Sequence, residues 1–474
     1  MSSTAAAHAA ARATRATPSR WTALAVLCAG MLMIILDGTI VSVALPAIEA
    51  DLGFTPAGLA WTVNAYLVPL GGLLLLAGRL GDLYGRRRML LTGLTLFVLA
   101  SLLCGLATNA AMLVAARFVQ GVAAAMASAV VLGMVVALFP ERVERAKAMG
   151  VYAFVGAAGA SIGLVLGGVL TATVGWRWIF LVNIPIGVAA VLLSLWAVAA
   201  DRPRERAARP DVLGGALVTA GLVLGVFTIV TTSEPPLRIG VGAVAVALLV
   251  LFVVRQQRAA EPLVRLSIFR SRAVSGGNVV QLLTVAGMLG FQFVMALYLQ
   301  QALSYSPAAT GFAVLPISVG IALVSLTLSG WLIARAGARR VLLVGELLLV
   351  AGLLLLAREP VGLYVVDVLP SVLLLGAGAG LVLPAVTTVI MSDATPEDSG
   401  LASGLANTSQ QVGGALGVAV LAVVGAAHTD AAAAAGSTVQ DALVSGYHLA
   451  FLVSAGLVAA GIPLTLTVLR RDRV

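Results

Sequence analysis

The sequence predicts an all-α membrane protein with fourteen transmembrane helices, arranged as two six-helix bundles with two helices inserted between them. Of the 474 residues, 60% are hydrophobic and only 10% are charged, whereas a soluble protein carries about 25% charged residues. The mean hydropathy is +1.06. A bilayer span needs about 20 mostly apolar residues, and runs of that length recur along the whole chain. Composition therefore excludes a soluble enzyme or a nucleic-acid-binding protein.

The apolar runs form groups of six, two and six, separated by charged breaks at 201–211 and 255–272. They lie at 21–46, 57–77, 88–107, 110–138, 147–170, 178–199, 211–231, 238–254, 274–300, 308–334, 341–357, 361–390, 400–426 and 447–469. We expect a cytoplasmic tail (1–20), a first bundle (21–200), an accessory pair with basic flanks (201–272) and a second bundle (273–474). A signal peptide is the alternative for the N-terminus, but the first run exceeds a signal core of about 7–15 residues.

Basic residues predict the orientation. If the chain alternates across the membrane from a cytoplasmic N-terminus, all but four of the 29 basic residues fall in cytoplasmic segments. The four are Arg117, Arg177, Arg238 and Arg358. Because basic residues stay inside, we expect a multi-pass protein of the cell membrane with both termini cytoplasmic.

A sequence repeat relates the two groups of six. Gly78–Arg88 follows the second run and Gly330–Arg340 follows the tenth, at an offset of 252 residues. Both stretches read Gly, then Gly seven residues later, then basic residues. Two related bundles with parallel topology are a repeat architecture of secondary transporters.

Several stretches together resemble the major facilitator superfamily, in its fourteen-helix drug:proton antiporter branch. Besides the Gly78–Arg88 loop, they are Leu36–Pro46, Ala116–Gly121, Trp176–Gly187, Tyr298–Pro307 and Asn407–Gly417. The resemblance implies two major facilitator bundles that export small amphipathic organic compounds (drugs, antibiotics, dyes) against protons by alternating access. A dedicated exporter of one self-made metabolite or antibiotic is the alternative. A membrane-embedded receptor or enzyme would need clustered acids and histidines or a long soluble insert, and neither is visible.

Asp37 and Arg117 are the predicted proton-coupling residues. Charges within a span are expensive and pair or face water, so they are functional candidates. At about 1.5 Å per residue, both lie at similar depth, and the arginine favours the ionised carboxylate while desolvation opposes it. The family assigns proton coupling to the matching Asp and Arg, and a structural ion pair is the alternative.

The loop after the second run predicts a conformational latch. Glycines allow tight turns and close helix approach, and a carboxylate beside arginines can form charge-assisted hydrogen bonds. In the family this latch steadies the outward-open state, and the alternative is a topology signal. The latch residues are Gly78, Asp82, Gly85, Arg86 and Arg87. The second copy has Ala334 in place of Asp82, so we expect it to lack the latch.

The fifth run carries glycines with a spacing of four, which favours close backbone packing. Gly159, Gly163, Gly167 and Gly168 resemble the antiporter motif of the family. That motif usually has a proline where this chain has Leu164, so the helix should be less kinked. Close packing alone is the alternative role.

Further polar and aromatic residues are candidates for a substrate cavity, since such a lining suits amphipathic ligands. The candidates are Gln120, Phe291, Gln292, Tyr298, Asp367, Asn407 and Gln410. Asp367 faces a cavity or merely sits at the interface. For Glu346 we favour a structural or interfacial role.

Nothing in the sequence indicates a cofactor, a metal site or an obligate protein partner. There is no phosphate-binding loop of the ATPase type, which excludes an ATP-driven pump as a single chain. The two cysteines and three histidines form no metal-binding spacing. The expected partners are a small-molecule substrate, protons and the lipid bilayer.

Overall fold

A computed structural model describes residues 19–199, 210–231, 235–358, 363–395 and 398–467. This part of the chain is helical and contains no strand. Nearly all of the expected tail, 1–20, lies outside the described residues. The arginines of the 201–209 break and those that follow the last run also lie outside the described residues.

Seventeen α-helices, some of them consecutive pieces of one span, make up the described part. They are α1 (Arg20–Leu52), α2 (Trp61–Tyr84), α3 (Arg86–Gly105), α4 (Ala110–Leu138), α5 (Arg142–Thr173), α6 (Trp178–Leu181), α7 (Asn183–Ala197), α8 (Val212–Val230), α9 (Pro235–Arg258), α10 (Arg272–Leu297), α11 (Pro307–Leu323), α12 (Gly330–Ala336), α13 (Ala338–Leu356), α14 (Tyr364–Asp367), α15 (Leu369–Met391), α16 (Ser399–Ala434) and α17 (Val439–Thr467). One π-helical turn extends α10, and another joins α11 to α12.

Each of the fourteen predicted runs falls on a helix. Among the described residues, thirteen helical segments are long and apolar enough to cross a membrane. The helix that falls short is α13, whose 19 residues include Arg339, Arg340 and Glu346. The chain is thus an all-helical protein with many candidate spans, and the number fourteen stays a prediction.

Several helix ends differ from the predicted ones. Pro46, taken as the end of the first run, lies inside α1, which continues to Leu52. Spanning helices tolerate such a proline because neighbouring groups satisfy the freed backbone. Helix α16 runs on to Ala434, because the alanines after residue 430 are strong helix formers. Helix α17 starts at Val439, before the apolar run itself begins.

Helices of each half pack mainly against one another. Helix α1 packs against α4, α5 and α7, and α4 also packs against α2 and α3. In the second half α10 packs against α15, α16 and α17, and α13 packs against α15 and α17. The halves meet where α5 contacts α11, α2 contacts α16 and α1 contacts α10. Helix α8 packs against both α2 and α16, and α9 packs against α8.

Candidate functional site

Asp37 lies in the middle of α1 and is completely buried. One carboxylate oxygen, Oδ2, accepts a hydrogen bond from Arg117 Nη1 at 2.5 Å. The other, Oδ1, accepts from Gln120 Nε2 at 2.9 Å and from Asn183 Nδ2 at 2.7 Å. Four residues from α1, α4 and α7 thus form one polar cluster around a single carboxylate.

Arg117 is only 1% exposed, and several groups contact its guanidinium. Its Nε donates to the Thr62 carbonyl at 2.9 Å, and its Nη1 also donates to Gln120 Oε1 at 2.7 Å. The Tyr66 ring lies 4.4 Å from the guanidinium carbon, within range of a cation–π interaction. The arginine is therefore held in one orientation by groups from α2 and its own helix.

Gln120 connects the ion pair to α3. Its amide nitrogen donates to Ser101 Oγ at 2.8 Å, and Cys104 Sγ lies 3.6 Å from its amide oxygen. Gln120, Ser101 and Cys104 are all 0% exposed. In this conformation the Asp37–Arg117 pair is sealed from solvent, so any proton exchange at Asp37 requires a rearrangement of the helices around it.

The stretch Trp176–Gly187 explains how Asn183 reaches Asp37. Trp176 Nε1 and Arg177 Nη1 both donate to Asp51 Oδ2, at 3.0 and 2.6 Å, which fixes the stretch to the end of α1. Asn183 opens α7 directly after, and it faces α1. The sequence did not single out Asn183, although a lone amide in an apolar run is a signal for a buried polar contact.

The loop between α2 and α3 brings its predicted partners together. Asp82 Oδ1 accepts from Arg86 Nε at 3.0 Å and from Arg86 Nη2 at 2.8 Å. Arg86 Nη1 also donates to the Gly133 carbonyl on α4, at 2.9 Å. Gly85 forms the turn with φ +110°, a conformation that side-chain-bearing residues rarely adopt. The carboxylate and the arginine therefore hold α2, α3 and α4 at one end of the first half.

The second copy of the loop shares the turn and one arginine contact. Gly337 has φ +85°, matching Gly85. Arg339 Nε donates to the Thr465 carbonyl at 3.0 Å, and Arg87 Nη2 donates to the Leu195 carbonyl at 2.6 Å. Ala334 offers no carboxylate, so the Asp82–Arg86 pair has no equivalent at this position.

The glycines of α5 lie against α1 and α11. A Cβ on Gly163 would lie 2.9 Å from the Leu36 carbonyl, and one on Gly167 would lie 2.5 Å from the Ile40 carbonyl. A Cβ on Gly168 would meet the Pro307 carbonyl, which belongs to the second half, at 2.5 Å. Gly159 faces side chains of α1. These glycines permit a close contact between α5 and two other helices.

The cavity candidates occupy different environments. Gln120 belongs to the Asp37 cluster. Phe291 and Tyr298 are buried against α17, where both rings contact Phe451, at 5.9 and 5.4 Å between centroids. Asn407, in contrast, is exposed on α16. Periodicity alone did not show which of these side chains face other helices.

The remaining candidates lie apart from the Asp37 cluster. Gln292 and Gln410 are half-buried. Asp367 ends the short helix α14 and accepts a hydrogen bond from the Leu363 amide at 2.9 Å, which caps that turn. A role of these residues in substrate binding stays a prediction.

Polar side chains join the two halves near the end of α1. Gln300 Nε2 donates to the Val43 carbonyl at 2.8 Å, and Gln301 Nε2 donates to Glu49 Oε2 at 2.9 Å. Tyr447 donates to Gln301 Oε1. Together with the contact between Gly168 and Pro307, these bonds close the interface of the halves at this end.

Among the described residues, no group of three His, Cys, Asp or Glu side chains could hold a metal ion. The polar cluster at Asp37 is built from one acid, one arginine and amides. This donor set suits a proton or a fixed charge pair.

Comparisons with known proteins give a consistent family. The model of the Major Facilitator Superfamily matches residues 27–418. The chain is 38% identical to the puromycin resistance protein pur8 of Streptomyces alboniger, over 93% of this chain and 89% of that protein. It is 37% identical to the cephamycin export protein CmcT of Amycolatopsis lactamdurans, over 87% and 86%.

A solved structure shares the fold. It is a bacterial homologue of the human lysosomal transporter Spinster, with a TM-score of 0.68 and 15% identity, covering 96% of this chain and 97% of that one. At this identity the likeness concerns the fold alone. With the family match over most of the sequence, it follows that this chain is a multi-pass membrane protein of the major facilitator superfamily.

Proposed function

We propose that this protein exports small amphipathic organic compounds, antibiotics among them, in exchange for protons. The observation that carries the proposal is the likeness, over most of both chains, to relatives named for puromycin resistance and cephamycin export. The family consists of transporters. Export would proceed by alternating access between two six-helix bundles, with α8 and α9 as an accessory pair.

We place proton coupling at Asp37 and Arg117. A buried carboxylate that accepts hydrogen bonds from one arginine and two amides can exchange the arginine for a proton when the helices separate. Its links to α4 and α7 mean that protonation would loosen contacts among three helices at once. Such coupling between one proton and helix packing is what an antiporter needs.

The direction of opening follows from the same proposal. With both termini in the cytoplasm of the cell, the end of α1 at Leu52 faces outward. The contacts of Gln300, Gln301 and Gly168 then close the outer side, and the Asp82–Arg86 latch lies on the cytoplasmic side. Substrate would enter between the halves from the cytoplasm, and Gln292, Asn407 and Gln410 are the candidate contacts along its path.

Transport in proteoliposomes tests the proposal. Purified protein is reconstituted, a pH gradient is imposed, and the movement of ethidium and puromycin is followed for the wild type and for Asp37→Asn. We expect gradient-driven transport in the wild type and loss of the gradient response in the variant. If transport by the wild type does not respond to the gradient, antiport is refuted. If the variant keeps full gradient-driven transport, Asp37 is not the coupling residue.

Export of one dedicated compound is the second candidate, because each of these two relatives is named for a single antibiotic. The same assay separates the two candidates. Transport of both ethidium and puromycin supports a broad exporter, whereas transport of one antibiotic from a wider panel supports a dedicated one.

A further inference from the structure

A second acid lies buried among the helices, far along the chain from Asp37. Glu346 on α13 is 0% exposed, and its Oε1 accepts a hydrogen bond from Thr465 Oγ1 on α17 at 3.3 Å. Its Oε2 has no hydrogen-bond partner among the described residues. The same holds for the hydroxyl of Thr284 on α10, which is also 0% exposed.

Gly461 creates the space that this carboxyl group occupies. A Cβ at Gly461 would lie 2.8 Å from Glu346 Oε1 and 3.6 Å from Thr284 Oγ1. The acid and the unpartnered hydroxyl therefore face the same small region between α10, α13 and α17. Packing does not require an acid here, since the repeat-equivalent residue, Leu94, is apolar and 1% exposed.

No arginine neutralises this acid in the described part of the chain, in contrast to Asp37. On α13, Arg339 donates to the carbonyls of Thr465 and Leu466, and Arg340 is exposed. On the other helices around the site, the titratable residues lie toward helix ends, and α15 has none. They are Arg272 at the start of α10, Arg335 in α12, and Asp441, Tyr447 and His448 in the first third of α17.

We propose that Glu346 is a second proton-binding site, separate from Asp37, and that the acid carries its proton on Oε2 in this conformation. An ionised carboxylate buried without a cation is very unfavourable, whereas a neutral acid needs no cation and still accepts the hydrogen bond at Oε1. Release breaks the Oε2–H bond, gives the proton to water and leaves a carboxylate that the two threonine hydroxyls can stabilise.

Thr465 links this proton site to the loop repeat. Its hydroxyl donates to Glu346, and its carbonyl accepts from Arg339, the counterpart of Arg87. A change of charge on Glu346 therefore acts on the residue that Arg339 holds. Loading and unloading of the proton would thus alter the contact of α13 with α17.

Infrared difference spectroscopy tests the site directly. Purified protein in lipid nanodiscs is stepped in pH, in H2O and in D2O, and the carbonyl stretch of protonated carboxylic acids is recorded. We expect a band that shifts in D2O, disappears in Glu346→Gln and persists in Asp37→Asn. In Thr465→Val the band should move to higher frequency, because the acid loses the hydrogen bond to Oε1.

Two outcomes would overturn the proposal. One is a spectrum that Glu346→Gln leaves unchanged. The other is a band that responds to added Na⁺ at constant pH, which would make the region a cation site. If Glu346→Gln does not fold, Glu346→Leu supplies the apolar residue of the equivalent position, with monodisperse elution as the check. The measurement uses neither substrate nor gradient, so its result is independent of the export assay.

Discussion

Arg87 and Arg339 make the same contact in the two halves of the molecule. Each follows the glycine turn of its loop, 252 residues apart, and each donates to carbonyls in the last turns of the final helix of its own half. The Leu195 carbonyl lies in the last turn of its helix, where carbonyls have no partner within the helix. The repeat in the sequence is therefore also a repeat in structure, in which one arginine fixes the third helix of a half to the sixth.

Removal of either arginine should destabilise its own half. Hydrogen bonds to charged groups contribute about 1.5–3 kcal/mol when buried, and partial exposure reduces this. We therefore expect Arg87→Ala and Arg339→Ala each to lower the free energy of unfolding by about 1 kcal/mol. Thermal unfolding in detergent measures this, with the exposed Arg340→Ala as the control. Equal effects for all three variants would contradict the assignment.

The two loop glycines should not tolerate a side chain. Gly85→Ala and Gly337→Ala place a Cβ at φ values of +110° and +85°, which costs about 1–3 kcal/mol. Gly78→Ala is the matched control, because the nearest atom to its Cβ would be Ala129 Cβ at 4.0 Å. We expect lower melting temperatures for the first two variants only. A Gly78→Ala variant as unstable as Gly85→Ala would show that the turn is not the cause.

A double variant that removes both charges distinguishes a structural role of Asp37 and Arg117 from a role in proton coupling. Arg117→Gln alone leaves a buried carboxylate without its cation, which costs about 3–5 kcal/mol. Addition of Asp37→Asn removes that charge, so the double variant should regain stability. If the pair couples protons, the double variant folds but its transport ignores the pH gradient. Gradient-driven transport by a stable double variant would leave the pair a structural role only.

Gly168 should control the closed contact between the halves. A Cβ there would meet the Pro307 carbonyl of α11, so Gly168→Ala should separate α5 from α11. Spin labels at Thr173 and Ala309, both exposed, report this as a longer distance between the labels in pulsed electron paramagnetic resonance. The control is Gly156→Ala, whose Cβ would have only Ile35 Cδ1 nearby, at 3.8 Å. An unchanged distance in Gly168→Ala would rule out this contact as the determinant.

Asp211 should make the accessory pair sensitive to acid. Burial raises the pKa of Asp211, but hydrogen bonds from the Gly214 amide, Arg255 and Gln256 outweigh burial and hold that pKa below its usual value. A lowered folded-state pKa contributes stability above the unfolded value of about 3.9, and this stability is lost as the pH falls through the folded-state pKa.

Asp211→Asn tests this because it keeps a cap for α8 but removes the charge. We expect the variant to melt below the wild type at pH 7, with the difference shrinking at a pH under about 4. A difference that stays constant with pH would mean that the charge of Asp211 does not contribute.

Hydropathy and helix geometry predicted much of this arrangement. The apolar runs lie on helices because about 20 apolar residues in a bilayer can satisfy their backbone only as a helix. The equal depth of Asp37 and Arg117 in their helices predicted a contact between them, and the two side chains are in contact in the structure. The loop likewise predicted a contact between Asp82 and the arginines after Gly85, and Asp82 pairs with Arg86 in the structure.

The sequence did not predict the other members of these clusters. A spanning helix that is apolar on all sides gives no periodicity to show which face a single Asn183, Ser101 or Gln120 presents. The same ambiguity applied to Phe291 and Tyr298, which pack against α17. The sequence favours a structural or interfacial role for Glu346, and only its complete burial beside Gly461 makes it a candidate for proton binding.

Helix α8 touches both halves, and this limits how they can move. Its contact with α2 is very close, because Gly72 faces Thr219 and Gly215 faces Leu76, and it also contacts α16. Helices whose backbones approach this closely separate less readily than helices that touch only through longer side chains. Helix α8 should therefore travel with the first half and slide along α16 during transport. The accessory pair would then restrict the relative rotation of the two halves to one plane. The rate of transport should therefore depend on the side chains through which α8 and α16 contact each other.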